Sequence, residues 1–118
     1  GAKGRATKLH AAIVRSRGRC ERCGAGPEAC MQCAHIVGRS FAHTRTDENN
    51  AWCLCASCHA HLGAEPFEHV QFAIKTHGED GYELLRLKAR DGVRRKFDWD
   101  AVVVRLRALA ADVGVKGA

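Results

Sequence analysis

Apolar residues recur at helical spacing near both ends of the chain, while the middle alternates short apolar runs with polar and cysteine-rich turns. In residues 7–17, TKLHAAIVRSR, Leu9, Ala12 and Ile13 form one stripe between Thr7 as N-cap and Gly18 as stop, which predicts a short amphipathic helix. Residues 19–26 place a Cys pair before glycine, the pattern of a turn whose amides face thiolate sulfurs. Residues 27–37 lack helical periodicity and predict a strand, followed by a polar loop over 38–49, a second strand over 51–54 and a helix opening near Ser57.

Pro66 suits a first helical turn, Phe67, Val70, Ala73 and Ile74 recur at helical spacing, and Gly78 ends that segment. Residues 82–90 repeat the pattern more briefly before Asp91-Gly92. The last helix is the clearest. Asp98 caps it, Trp99, Val102, Val103, Leu106, Ala110 and Val113 share a face, Gly114 stops it, and the end frays over 115–118. The order predicts a small α+β fold in one domain, residues 1–118, with a basic helical extension over about 79–114.

Composition adds little beyond marking a folding sequence, with 46% hydrophobic and 27% charged residues. A chain of 118 residues can bury a small core that a staple would assist. No stretch is apolar enough to span a bilayer and none resembles a signal peptide, so the expected location is the cytoplasm, with no membrane partner. The only methionine is Met31, and the opening Gly-Ala reads as a trimmed start.

Charge changes the picture more. The formal net charge is +6, and the basic residues cluster: Lys3, Arg5, Lys8, Arg15, Arg17, Arg19 and Arg22 near the start, Arg86, Lys88, Arg90, Arg94, Arg95 and Lys96 later. Such clusters attract polyanions, of which nucleic acid is the commonest, whereas a plain solvated surface is the bland alternative.

The seven cysteines are an odd number at short gaps, which in a reducing compartment favours zinc over disulfides. Cys20-x2-Cys23 and Cys55-x2-Cys58 make two knuckles whose thiolates can surround one zinc tetrahedrally. A competing grouping joins Cys20 and Cys23 to Cys30 and Cys33. Under the first grouping Cys30, Cys33 and Cys53 are small buried hydrophobes, and a Cys30–Cys33 disulfide would carry no function.

Between the knuckles lie His35, Ile36 and Arg39, then Arg45, Asp47 and Asn50, with His59 directly after Cys58. This pattern resembles the HNH nucleases with a ββα-metal motif, most of all the phage-encoded branch that includes NinG-like recombination proteins. The resemblance covers roughly residues 19–77. It implies a structural Zn2+ on the four knuckle cysteines and a catalytic divalent cation, Mg2+ or Mn2+ with Zn2+ or Ni2+ as alternatives. It also implies His35 as the general base, Asn50 as the brace of the loop behind it and His59 as a ligand of the catalytic cation. Arg39 and Arg45 would clamp phosphate, since guanidinium pairs with it bidentately.

The chemistry suits those residue types: a neutral imidazole can deprotonate water, and a cation can neutralise charge on the phosphate and departing oxygen. One position departs from the family pattern. Where an acidic residue or histidine often precedes the base, this chain has Ala34. The remaining ligand then comes from His43, Asp47 or His61, or His35 itself binds metal, or the site only binds DNA. His10, His69 and His77 read as ordinary surface or helix-end histidines.

The resemblance therefore implies a metal-dependent DNA endonuclease with weak sequence preference. It would act in phage DNA processing beside packaging or recombination proteins, in the host cytoplasm. Outside the resemblance, the later basic cluster offers Arg94, Arg95 and Lys96 as DNA contacts. The alternative is a non-catalytic zinc module that binds nucleic acid or protein.

Overall fold

The structure, a computed structural model, describes residues 1–116. Its α+β fold is built on a two-stranded antiparallel sheet. Strand β1 (Met31–His35) pairs with β2 (Ala51–Cys55), so that Met31 faces Cys55, Cys33 faces Cys53 and His35 faces Ala51. Among the described residues five α-helices surround it: α1 (Ala2–Arg15), α2 (Ala42–Arg45), α3 (Ala56–Ala64), α4 (Pro66–Asp91) and α5 (Trp99–Asp112).

Strand β2 is buried along its whole length because helices cover both faces. On one face Val14 of α1 meets Ala51 and Cys53. On the other, Trp52 and Leu54 pack with Ala34, Leu62 of α3, and Ala73 and Leu85 of α4. The Trp52 indole, nearly inaccessible, also donates to Thr76 Oγ1 at 2.9 Å, so its one polar atom is satisfied. Helix α1 has a second seam, where Ala6, Leu9 and Ile13 pack on Val103, Leu106 and Ala110 of α5. That seam ties the two ends of the chain together.

Several boundaries differ from the sequence reading. Helix α1 begins well before Thr7, whose hydroxyl is no cap but donates to Lys3 O at 2.8 Å within the helix. Strand β1 starts only at Met31, because the residues before it turn, with the Ala29 amide on Gly26 O. The stretch read as a plain loop holds α2 and a 3₁₀ turn over Glu48–Asn50, capped by the Asp47 carboxylate on the Asn49 amide at 2.9 Å. Elements so short leave no periodicity to read.

Gly78 does not end a helix but breaks one. Its φ of 76° and ψ of 162° interrupt α4, and helical turns resume directly after it, since glycine reaches left-handed φ without a Cβ clash. Phe67, Val70 and Val113, on the predicted apolar faces, are exposed, whereas Ala73, Val103, Leu106 and Ala110 are buried as expected. Asp98 caps α5 by accepting from the Ala101 amide at 3.0 Å. Of the predicted frayed end, Val115 is still tied to Ala110 O at 2.8 Å, and residues 117–118 lie outside the described residues. Among the described residues no helix is long and apolar enough to cross a membrane.

Candidate metal centre and the adjoining cleft

Cys20 and Cys23 sit on the turn after α1, Cys55 ends β2, and Cys58 lies in the first turn of α3. The strand register and the packing of α1 bring these four together, with all sulfurs within 4.8 Å of one another. Gly24, at φ 77°, closes the first knuckle by donating its amide to Cys20 O at 2.9 Å. Cys55 Sγ accepts from the Cys58 amide at 3.4 Å and so caps α3, and Arg22 donates to Cys58 Sγ at the same distance.

Burial opposes ionisation of Cys20, yet the amides of Cys23, Cys55 and Arg22 outweigh it and bring that thiol down to about 6. Burial pushes Cys58 up to about 12 against the pull of Arg22, as expected where neighbouring sulfurs cannot all carry charge unaided. This donor set fits a tetrahedral zinc, which would displace the remaining thiol protons.

The competing cysteine grouping is not formed. Cys30 is exposed rather than a buried hydrophobe, and both Cys30 and Cys33 are free thiols. Cys53 is buried as expected.

Beside this centre a cleft of about 470 Å³ runs along β1 between α1 and α3. Arg15, Gln32, Cys33, His35, Arg39 and His59 line it. His35 Nε2 donates to Arg45 O at 2.8 Å, which orients the ring and leaves Nδ1 with the lone pair. Burial lowers the pKa of His35, and the positive charges of Arg39 and Arg45 act in the same direction, against the bond to the Arg45 carbonyl. The imidazole is therefore neutral near neutral pH. His59 Nδ1 donates to Gln32 Oε1 at 2.7 Å, leaving its Nε2 free.

Asn50 is fully buried and ties the loop that carries Arg39 and Arg45. Its Oδ1 accepts from the Val37 amide, and its Nδ2 donates to the carbonyls of Val37 and Thr44.

Other predicted site residues fall elsewhere. His43 and Asp47 line a separate cavity of about 310 Å³ with Lys88 and Arg105, and Asp47 forms an ion pair with Lys88. His61 pairs with Glu68 at 3.0 Å. Arg45 donates to Thr7 Oγ1 at 3.3 Å and to Arg39 O at 3.0 Å and does not line the cleft. Arg94, Arg95 and Lys96 are exposed in the connection between α4 and α5, and none of them lines the cleft. Ala34 packs among Trp52, Leu54 and Leu62, so a carboxylate there would be buried in the apolar core.

Two features escaped the sequence reading. Along α1, Arg5, Lys8 and Arg15 line a groove of about 510 Å³ that shares Thr7, Ala11 and Arg15 with the cleft, so a basic face leads into it. His10, read as a surface residue, is buried at 1% exposure, and its Nε2 donates to Asp47 O at 2.9 Å. Burial brings its pKa down to about 4, against the opposing pull of that carbonyl. The signal was present, since Ala6, His10, Ile13 and Val14 recur at helical spacing and all four are buried.

Comparison with protein-family models, curated proteins and solved structures finds no match to this chain.

Proposed function

We propose that this chain is a divalent-metal-dependent endonuclease of the HNH kind that hydrolyses DNA phosphodiester bonds with little sequence preference. The observation that carries the reading is the pairing of His35 and His59 across one cleft, each with one ring nitrogen anchored and the other free. Asn50 supports it by fixing the loop whose Arg45 carbonyl orients His35.

In this reading His35 Nδ1 takes a proton from a water aligned with the scissile bond. The water oxygen bonds to phosphorus as the P–O3′ bond breaks, leaving a 5′-phosphate and a 3′-hydroxyl that takes a proton from solvent. Arg39 and Arg15, at the cleft wall, hold the phosphate. A divalent cation held by His59 would neutralise charge on the phosphate and the departing oxygen. Among the described residues no carboxylate lines the cleft, so its nitrogen donors suit Mn2+ or Ni2+ better than Mg2+. A structural zinc on the cysteine centre would keep β2 and α3 fixed relative to the first knuckle. Phage recombination or packaging is the setting that the sequence resemblance suggests.

The test is cleavage of supercoiled plasmid by wild type and His35→Ala, with Mn2+, Mg2+ or chelator. Cutting that needs metal and disappears in the folded variant supports the nuclease. The second reading, a zinc module that binds nucleic acid without cutting, is favoured by the buried Ala34 and the carboxylate-free cleft. Wild type that binds DNA but never cuts it would select that reading.

A further inference from the structure

We propose that His10, Cys33 and His35 form a second metal site, separate from the four-cysteine centre, which takes a thiophilic divalent ion such as Zn2+ or Co2+. The donor atoms of these three residues lie within 4.8 Å of one another, and His10 Nδ1 is 3.8 Å from Cys33 Sγ. Slight contraction around an ion brings such a set to ordinary zinc–nitrogen and zinc–sulfur bonding.

The arrangement has more of a metal site than proximity alone. Each histidine donates its Nε2 proton to a backbone carbonyl of the same connecting segment, His10 to Asp47 O and His35 to Arg45 O. Such bonds fix the tautomer of metal-binding histidines and leave the other nitrogen as the donor. Here both remaining nitrogens are Nδ1, and the rings lie 5.3 Å apart between centroids. Cys33 and His35 alternate along β1 and so point to the same face, toward α1, which supplies His10 from its buried side.

The position is also accessible. Cys33 and His35 line the cleft, while His10 is buried, so an ion would reach the site from the cleft that Arg39 and His59 also line. Binding displaces one proton, that of the Cys33 thiol, and no other bond changes. Two imidazoles and a thiolate select zinc or cobalt over magnesium or calcium. The same His35 nitrogen that acts as base in the hydrolytic reading becomes a ligand here. Ion binding at these three residues does not depend on whether the chain cuts DNA.

The experiment is a Co2+ titration of protein whose cysteine centre has first been filled with zinc, read by visible and near-ultraviolet absorption. Wild type is expected to take up a further ion with tetrahedral d–d bands and a single-thiolate sulfur-to-cobalt band. Cys33→Ala, which removes only the thiol group, is expected to lose the sulfur-to-cobalt band, and His10→Gln to lose the tetrahedral spectrum, with far-ultraviolet dichroism and staple zinc retained. Absence of any such spectrum in wild type, or its persistence unchanged in Cys33→Ala, would overturn the site. Because the readout is spectral, failure of the nuclease reading would leave this result intact.

Discussion

Asn50 grips both backbone polar groups of Val37: its Oδ1 accepts from the amide at 2.7 Å and its Nδ2 donates to the carbonyl at 2.9 Å. The same Nδ2 reaches Thr44 O at 3.0 Å, so one buried side chain closes the segment between the two strands. Replacing Asn50 with alanine strands these groups in a dry interior, at a cost of about 3 kcal/mol. Urea unfolding of Asn50→Ala checks this, and a loss below roughly 1 kcal/mol would remove the residue's bracing role. Asn50→Asp keeps the acceptor but aims a carboxylate at two carbonyls, so it is expected to be no better than alanine.

Removal of metal from the four-cysteine centre is expected to unfold the region around the knuckles. Cys55 both ends β2 and caps α3 through the Cys58 amide; Cys55→Ser removes a thiolate from the metal donor set while its hydroxyl can still cap the helix, so the loss reports on the metal. Zinc content and thermal unfolding are the measurements. Full retention of zinc in that variant would contradict the assignment of Cys55.

His10 ties stability to pH. Its pKa is about 4 in the folded chain against 6.5 when exposed, so between those values the unfolded chain binds more protons. Stability from this group is complete above pH 6.5 and is lost as pH falls toward about 4, on the order of 3 kcal/mol in all. His10→Gln can still donate to the Asp47 carbonyl but does not titrate. Unfolding of wild type and variant, each carrying zinc at the four-cysteine centre alone, is expected to converge as pH falls across that window, and parallel curves would refute the linkage.

The basic face along α1 is expected to matter more for DNA than the connection before α5, because it leads into the cleft. Charge reversal at Arg5 and Arg15 should weaken duplex binding and flatten its salt dependence, by about 0.9 in log–log slope for each phosphate no longer neutralised. Reversal at Arg94 and Arg95 should do less. Filter binding over a salt series decides between them, and the opposite ranking would move the DNA to the α4–α5 side.

Zinc added beyond the cysteine centre's share is expected to suppress Mn2+-supported cutting, by occupying the His35 nitrogen that serves as base. Cys33→Ala should restore activity at the same zinc concentration. Equal inhibition of both proteins would place the inhibitory ion away from His10, Cys33 and His35.

The parts of this protein legible in its sequence are those written as local spacing. Paired cysteines announced sulfurs that could hold one metal ion, Asp98 a helix start, and strand, loop, strand and helix the order of the middle. Local spacing failed where elements were too short to repeat, as in α2, or where one glycine could stop a helix or bend it, as at Gly78.

Which residues meet was decided by packing across long stretches of chain. Arg39 and Arg45 look alike in sequence, yet one lines the cleft while the other bonds to Thr7 and the Arg39 carbonyl outside it. His43 and Asp47 fell into another cavity because Asp47 caps its own turn and pairs with Lys88. His10 joined Cys33 and His35 only because α1 lies across β1, pinned at one end by β2 and along its length by α5. The sequence by itself determined the donor types and the two cysteine pairs, which are local in spacing, while the fold decided that these pairs meet each other rather than Cys30 and Cys33. Only the tertiary structure determined the company each histidine keeps, since burial and hydrogen-bond satisfaction are properties of the packed whole.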